Sequence, residues 1–441
     1  MNVQYNDQQS AGEAIIIDPL REPEPYLEIA QKRNTKIKYI FESHFHADFV
    51  SGHLSLQQKT GAQIVYGPNA EAKYSFKEAK DNEIISFGKC KIKILHTPGH
   101  TLESSCFLLL DSQDKPHSVY TGDTLFLGEV GRPDLAVQSG KITEYDLAGL
   151  LYDSLHQKIL TLPDNVIIFP SHGAGSSCGK NILKGHSCSV GMQKKNNYAL
   201  QEMKKEDFIK VVTSELHPPP QYFYYNAALN KQGYQDQNKK NELKVIKNAK
   251  EIEKIIKENQ ALILDCRDDI SLGFLENSIN IGLSTPFAVW VGTLIQHDIS
   301  LILLTDKGKE QEAAQRLYRI GYEKIIGFIE SGINCGLPII PLKHLDTKQF
   351  VQKANNQSNF ILDVRNKSET DAGMSKNAKN IPLPLLGKQL MELPKDQEIF
   401  VYCQSGARSK MAATILSLKG YHNVTICNQG FPDLKKDGLN I

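Results

Sequence analysis

The chain has 441 residues, enough for two to four domains at roughly 100–200 residues each. Its 51 Lys+Arg against 50 Asp+Glu leave a formal charge of +1, which argues against a dedicated nucleic-acid binder. Hydrophobic residues make up 40% and charged residues 23%, an ordinary globular balance, and no run approaches the roughly 18 apolar residues of a membrane span. The polar start, Met1 to Gln9, does not read as a secretory signal. The eight cysteines are spread out and form no Cys-x-x-Cys pair. That pattern suits a reducing compartment, and a cytoplasmic protein is expected. Only 8 of the 51 basic residues are Arg, so an Arg inside a chemical motif calls for its own account.

Short apolar runs bounded by turn residues predict buried strands in the first half: 14–17, 37–41, 64–66, 91–95, 107–110 and 166–169. Only 13 residues precede Ala14, so a sheet-edge strand is expected to be missing there. Helices are predicted over 54–60 and 145–161, the second with Leu147, Leu150, Leu151, Leu155 and Ile159 at helical spacing. Strands interspersed with helices predict a layered α/β domain. Residues 228–242 (ALNKQGYQDQNKKNE) are polar and lysine-rich and read as a linker.

The second half repeats itself. Leu262-Ile-Leu-Asp265-Cys-Arg267 aligns with Phe360-Ile-Leu-Asp363-Val-Arg365 at an offset of 98. The segments at 279, 300 and 321 recur at offsets of 100, 97 and 99. Four landmarks at nearly one offset predict two copies of a small parallel-sheet α/β domain. They join near Gly336–His344, whose prolines suit a connection.

Four motifs carry metal-ligand chemistry. His44-Phe-His46-Ala-Asp48 lies just after the run 37–41. His100, Asp123 and His172 each follow a later apolar run. Strand ends converging at one sheet edge could bring them together. The other histidines (His53, His96, His117, His156 and His186) lack such company and read as structural. His44, His100 and Asp123 together have the composition of a 2-His-1-carboxylate triad, which suits Fe(II) and oxygen chemistry. Zinc also accepts His and Asp, so a zinc hydrolase stays open. Arg132 could hold an anionic group on a substrate, or form a salt-bridged turn. Cys178, in a Gly/Ser-rich stretch six residues after His172, could meet a substrate near the metal, or be an inert buried thiol.

A fifth motif carries a thiol. Tyr402-Cys403-Gln-Ser-Gly-Ala-Arg408 lies between the apolar run 399–402 and the apolar stretch 411–418. A Cys on a strand-to-helix loop lies near helix N–H groups, which lower a thiol pKa and stabilise an anion, and Arg408 would help. Only four residues separate Cys403 from Arg408, one fewer than in cysteine phosphatases. The shorter loop suits a sulfur atom carried on the cysteine. In the first copy Asp306 stands at the matching position, and a carboxylate cannot carry sulfane sulfur.

The His/Asp motifs over about residues 14–225 resemble the metallo-β-lactamase superfamily. Residues 345–441 resemble a rhodanese domain, although the family's Gly-His-Ile segment is altered here (Ser375-Lys-Asn-Ala-Lys379). The whole order resembles bacterial persulfide dioxygenase–rhodanese fusion proteins. That resemblance implies an αββα sandwich over 1–235, a degenerate rhodanese-like domain over 243–341 and an active one over 345–441. It implies one Fe(II) per chain on His44, His100 and Asp123, with Zn as the alternative. His46, Asp48 and His172 then orient ligands or water, or contribute to a second metal. Two-metal hydrolases of the superfamily, such as glyoxalase II, carry a His directly after the loop Asp. Here that residue is Phe49, which cannot coordinate, so one metal is expected. The implied substrates are a low-molecular-weight thiol persulfide and O2, giving sulfite, with Cys403 transferring sulfur to yield thiosulfate. The alternative is a zinc thioester hydrolase with an appended sulfurtransferase. A third reading is a sulfur carrier in which Cys403 only relays persulfide. No membrane or nucleic-acid partner is implied. The superfamily often dimerises, so a homo-oligomer stays open.

Overall fold

The computed structural model describes residues 7–441 apart from 138, 215, 217, 218, 235–242 and 331. It divides into two compact units, Met1–Asn238 with Arg319–Gly321, and Lys239–Tyr318 with Tyr322–Ile441.

The first unit is built on two sheets. One has the order Asp7–Ser10, Glu13–Ile17, Lys36–Glu42, Gln63–Tyr66 and Lys77–Glu78. The other runs Cys188–Ser189, Ile167–Pro170, Pro116–Gly122, Ser105–Leu110, Cys90–His96 and Ile84–Phe87. Strand alternation explains the layers. Ile15 and Ile17 join Phe41, Ile92, Ile94 and Phe107 in the core shared by the two sheets. Ile16 points the other way, to a second core with Ile40 of the Lys36–Glu42 strand and with Tyr26 and Leu56 from the flanking helices Glu24–Lys32 and His53–Thr60. A third core packs Leu108 and Val119 against Ala148, Leu151 and Leu155 of the long helical stretch. Strands covered on both faces must be apolar throughout, which is why their runs were continuous in the sequence.

Three expectations need correction. An edge strand does precede Ala14: Asp7–Ser10 pairs antiparallel with the Glu13–Ile17 strand. It was missed because its residues, Asp-Gln-Gln-Ser, are polar. The stretch expected to be one helix is α-helical over Glu144–Ser154 and continues as a π-helical turn over Leu155–Ile159. The predicted linker is helical through its first part, since a helix spans Tyr222–Gln232. Residues 235–242 of that stretch lie outside the described residues.

The second unit holds both repeats. The first sheet has the order Lys244–Ile246, Ile325–Ile329, Leu301–Leu304, Leu262–Asp265 and Ser278–Asn280. The second has the order Lys343–Leu345, Val424–Cys427, Ile399–Tyr402, Phe360–Asp363 and Ala378–Asn380. All pairings are parallel and the order is the same in both. The repeated Leu-Asp-x-Arg motif has one physical cause. Arg267 Nη2 bonds Asp265 at 2.6 Å and Gly273 O at 3.0 Å. Arg365 Nη2 bonds Asp363 at 2.7 Å and Gly373 O at 2.9 Å. Asn280 and Asn380 each donate to the two backbone carbonyls of that turn. A buried guanidinium needs a carboxylate and carbonyls around it, so these positions keep their residue types in both copies. Within this unit, Asn280 N donates to Thr414 Oγ1 at 3.1 Å, which ties the first copy's outer strand to the helix Ala407–Leu418 of the second.

Candidate metal centre and thiol loop

Strand ends deliver the metal motifs to one place. Lys36–Glu42 leads into the loop with His44, His46 and Asp48. Cys90–His96 precedes His100, Pro116–Gly122 precedes Asp123, and Ile167–Pro170 precedes His172. Nitrogen or oxygen atoms of His44, His100 and Asp123 lie within 4.8 Å of one another, and all three residues are buried. Asp123 Oδ2 is 3.5 Å from His100 Nε2 and 3.9 Å from His44 Nε2. Neither Asp123 carboxylate oxygen has a hydrogen-bond partner. A buried carboxylate without donors, facing two imidazoles, is the donor set a metal dication satisfies.

The surroundings set the tautomers. His100 Nδ1 is 2.8 Å from Arg132 O. A carbonyl only accepts, so Nδ1 carries the proton and Nε2 keeps its lone pair toward Asp123. Ser43 Oγ lies 2.9 Å from His44 Nδ1 and can hold that ring in the same way. Gly122 permits this approach. A Cβ there would lie 2.6 Å from Ser43 Oγ, and its φ is +51°. Burial, then the neighbouring His46, His100 and His172, push the His44 pKa well down. A neutral ring is the form that binds metal.

His46 faces away from this group. Its Nε2 lies 3.2 Å from Asp18 Oδ1 and 3.5 Å from Glu42 Oε2, and its ring lies against Phe49, centroids 4.3 Å apart. Burial opposes its charge, but Asp18, Glu42 and Asp48 outweigh burial and raise its pKa to about 9. Asp18 is likewise held below the usual carboxylate range. Burial opposes this, and His46 and the Ser43 N–H outweigh it. Glu42 also receives Ser51 Oγ at 2.6 Å and lies 3.5 Å from His53 Nδ1. Sequence reading missed Asp18 and Glu42. Each is a lone carboxylate closing an apolar strand, and that position was the only signal they gave.

Asp48, His172 and Cys178 form a neighbouring cluster, their ligand-type atoms also within 4.8 Å. Burial, then Asp48 and Asp123, push the Cys178 thiol pKa well up. The Arg132 N–H donates to Cys178 O at 3.0 Å, which fixes the thiol-bearing loop beside His100's support. The guanidinium of Arg132 makes the salt-bridged turn that was one of its two expected readings. It grips both oxygens of Asp134 at 2.7 Å and donates to Ser177 O at 3.3 Å. Asp134, two residues on, offers a carboxylate at bidentate distance, so the residue closes a turn and orients His100.

The helix Tyr222–Gln232 supplies a residue that the linker reading concealed. Asn230 is buried, donates to His46 O at 2.7 Å and Phe49 O at 2.8 Å, and accepts from Ser51 N at 3.0 Å. One amide thus satisfies three backbone groups of the metal loop. Asn230→Ala would leave them buried and unmade, at about 1–3 kcal/mol for such a group. Urea denaturation of the variant should show a loss of at least that size.

In the second unit, Cys403 is fully buried at the end of the strand Ile399–Tyr402. Gly406 N, at the helix start, donates to Cys403 Sγ at 3.1 Å. Gly406 has φ +88°, and a Cβ there would lie 2.3 Å from Asn428 O, so only glycine closes this loop. Arg408 stands in the first turn of the helix Ala407–Leu418, and its fork bonds Glu369 at 2.6 and 2.7 Å. Glu369, in the capping box of the helix Lys367–Asp371, was not singled out from the sequence.

A two-sheet sandwich with strand-end His and Asp residues defines a metal-centred metallo-β-lactamase domain, and a parallel sheet with a Cys loop before a helix defines a rhodanese-like one. The metallo-beta-lactamase superfamily matches residues 8–172, and the rhodanese-like domain family matches residues 346–437. The mitochondrial persulfide dioxygenase ETHE1 of Homo sapiens is 28% identical over 225 residues, covering 50% of this chain and 80% of that protein. A probable hydroxyacylglutathione hydrolase of Schizosaccharomyces pombe is 32% identical over 168 residues, covering 37% of this chain and 60% of that protein. Among solved structures, a metallo-beta-lactamase from Staphylococcus aureus subsp. aureus COL superposes with a TM-score of 0.65 at 29% identity. It covers 73% of this chain and 93% of that one. The chain is therefore a fusion of a metallo-β-lactamase domain, with persulfide dioxygenase homologues, to a C-terminal rhodanese-like domain. All eight cysteines are free thiols. Among the described residues, no helix is long and apolar enough to cross a membrane.

Proposed function

We propose that the protein oxidises a low-molecular-weight thiol persulfide to sulfite with O2 and makes thiosulfate by sulfur transfer through Cys403. The observation that carries this reading is the buried His44–His100–Asp123 set, with both Asp123 oxygens without a hydrogen-bond partner and the His100 Nε2 lone pair turned inward. Two imidazoles and one carboxylate suit Fe(II) with open positions. Fe(II), when bound, supplies the activation of O2 that no side chain can.

The rest falls to the chain. Ser43 and the Arg132 carbonyl orient the two rings. Asp18 and Glu42 hold His46 out of the ligand set. Overall, RSSH, O2 and water give RSH, sulfite and two protons. In the rhodanese-like domain the Cys403 thiolate attacks the outer sulfur of a second persulfide, and RS⁻ leaves and is protonated. Sulfite then attacks the outer sulfur on Cys403, forms the S–S bond of thiosulfate and releases the thiolate. The Gly406 N–H faces the Sγ that carries negative charge before and after transfer. In this scheme residues 1–235 form the oxidising domain, 243–341 a copy without a nucleophile and 345–441 the sulfur-transfer domain. A shared chain raises the effective concentration of sulfite near Cys403.

The zinc thioester hydrolase reading draws on the hydroxyacylglutathione hydrolase relatives. Phe49, which brings no donor and whose ring lies against His46, weighs against it. Elemental analysis on protein purified without oxygen, followed by O2 uptake with glutathione persulfide or coenzyme A persulfide, tests the two. About one iron per chain with persulfide-dependent uptake is expected. Two zincs, no uptake and turnover of an acyl-thioester would overturn the proposal.

A further inference from the structure

The two copies of the second unit allow a comparison inside one chain. Strand pairing fixes their correspondence: Asp265 lies opposite Leu304, and Asp363 opposite Tyr402. The strand ends therefore match at an offset of 98. The loop glycines match at the same offset, Gly308 with φ +84° and Gly406 with φ +88°. Thr305, not Asp306, thus stands in the place of Cys403, because the apolar runs alone left the offset one residue short. A hydroxyl carries sulfane sulfur no better than a carboxylate does. Both copies keep the network of Asp, buried Arg, glycine carbonyl and Asn that shapes the fold. What the first copy drops along with the thiol is a different ion pair. Glu310 replaces Arg408, and its Oε1 accepts from Gly308 N at 3.0 Å. Ser271 stands where the second copy has Glu369. The fold does without the Glu369–Arg408 pair, so the pair belongs with the nucleophile.

The pair is held firmly. Glu369 Oε2 accepts from Arg408 Nη1 at 2.6 Å and from Asn366 N at 2.9 Å, and Oε1 accepts from Arg408 Nη2 at 2.7 Å. Burial opposes the Glu369 charge, but Arg408 and the Asn366 N–H outweigh it and hold the carboxyl below its usual range. Arg365, fixed by Asp363, lies 3.5 Å from the Glu369 carbonyl through its other Nη. Burial also opposes the Arg408 charge, and Glu369, with help from Cys403 and Asp363, outweighs it and raises its pKa. Cys403 is thus within electrostatic reach of the fork. A guanidinium has five N–H donors, and Glu369 takes two of them. The Arg408 side chain keeps 13% exposure, which leaves the other donors open to a ligand.

We propose that Glu369 is a positioning residue that aims the free N–H donors of Arg408 at the oxygens of the sulfite discharging Cys403. The proposal rests on the sulfur-transfer reading of Cys403 and names the step that the ion pair serves. In that step the sulfite lone pair forms the S–S bond of thiosulfate. The electrons of the Sγ–S bond return to Cys403 as a thiolate, and any proton on the outer sulfur goes to solvent, so no oxidant is needed. A planar fork suits an acceptor with several oxygens, and a fork already pinned by a carboxylate loses little freedom on meeting it.

The test uses the full chain without oxygen, loaded at Cys403 with glutathione persulfide and followed by mass spectrometry of the adduct. Sulfite or cyanide then discharges it, read as thiosulfate or thiocyanate. Cyanide has no oxygens for the fork to hold, so it is the internal reference. Glu369→Gln should raise the KM for sulfite relative to that for cyanide by about tenfold or more, with little change in kcat. Glu369→Asp, which keeps the charge, should recover part of that shift. Arg408→Lys should reproduce it, because an ammonium lacks the fork, and the double variant should add little to either single one. A ratio between two acceptors is unaffected by a loss of folded protein. Equal losses with both acceptors, or an unchanged ratio in both single variants, would overturn the proposal. Loading from thiosulfate but not from persulfide, with the ratio shift intact, would count against the persulfide reading and leave the role of Glu369 standing. A wild-type chain that takes sulfur from neither donor would overturn both.

Discussion

Asp123→Asn should strip the metal from the first unit and abolish O2 uptake while leaving sulfur transfer intact. Asp123 is the residue on which the centre turns. Its two oxygens lie 3.4–3.9 Å from the Nε2 atoms of His44, His100 and His172, and neither has another partner. The amide keeps the shape but loses the charge, and its NH2 group presents donors where a cation needs lone pairs. Loss of a residue that only orients a ligand costs roughly 10–100-fold in metal affinity or activity. Loss of a ligand should exceed that, so iron per chain should fall toward zero and persulfide-dependent O2 uptake by more than about 100-fold. Thiosulfate-to-cyanide sulfur transfer reads Cys403 alone, in the other unit, and should not change. Iron retained near one per chain in this variant would remove Asp123 from the ligand set and with it the proposed centre.

The candidate ligand motifs were legible because each follows an apolar strand. Sheet geometry carries such residues to one edge whatever lies between them in sequence. The repeat was legible for a stricter reason. A buried Arg that must meet an Asp and a glycine carbonyl restricts three positions at once, and the restriction appears twice. What escaped notice has an equally physical cause. Asp18 and Glu369 act through partners distant in sequence, and Glu42, though only four residues before His46, closes an apolar strand, so no local pattern marks them. Asn230 was hidden by its composition. The run 228–242 is polar, and polarity reads as solvent exposure, but Asn226 and Asn230 stand four residues apart on one buried face of a helix. Their amides face inward, and the lysines around them supplied the misleading signal. Arg132 shows the reverse case. Its charge left a substrate contact or a salt-bridged turn open; Asp134 two residues on pairs with the guanidinium, and a contact no sequence pattern announces is its backbone carbonyl at His100 Nδ1.

Cys403→Ser should change which product leaves the enzyme more than how fast O2 is consumed. The hydroxyl replaces the one atom able to carry sulfane sulfur, and a serine at this loop has no adjacent base to activate it. Sulfur transfer should therefore fall to the background rate in a thiosulfate-to-cyanide assay. The fold should hold, since Cys403 is fully buried and the hydrogen bond that Sγ accepts from Gly406 N suits an oxygen acceptor as well. With persulfide and O2 supplied, the wild-type chain should deliver mainly thiosulfate and the variant mainly sulfite, at a similar rate of O2 uptake. The product ratio is the sharper test because it reads both sites together. Sulfite accumulates only if the first unit makes it, and it disappears only if Cys403 consumes it. Thiosulfate production at the wild-type level in the variant would mean that another thiol performs the transfer. Cys178, a buried thiol beside Asp48 and His172 in the first unit, would then be the residue to replace next.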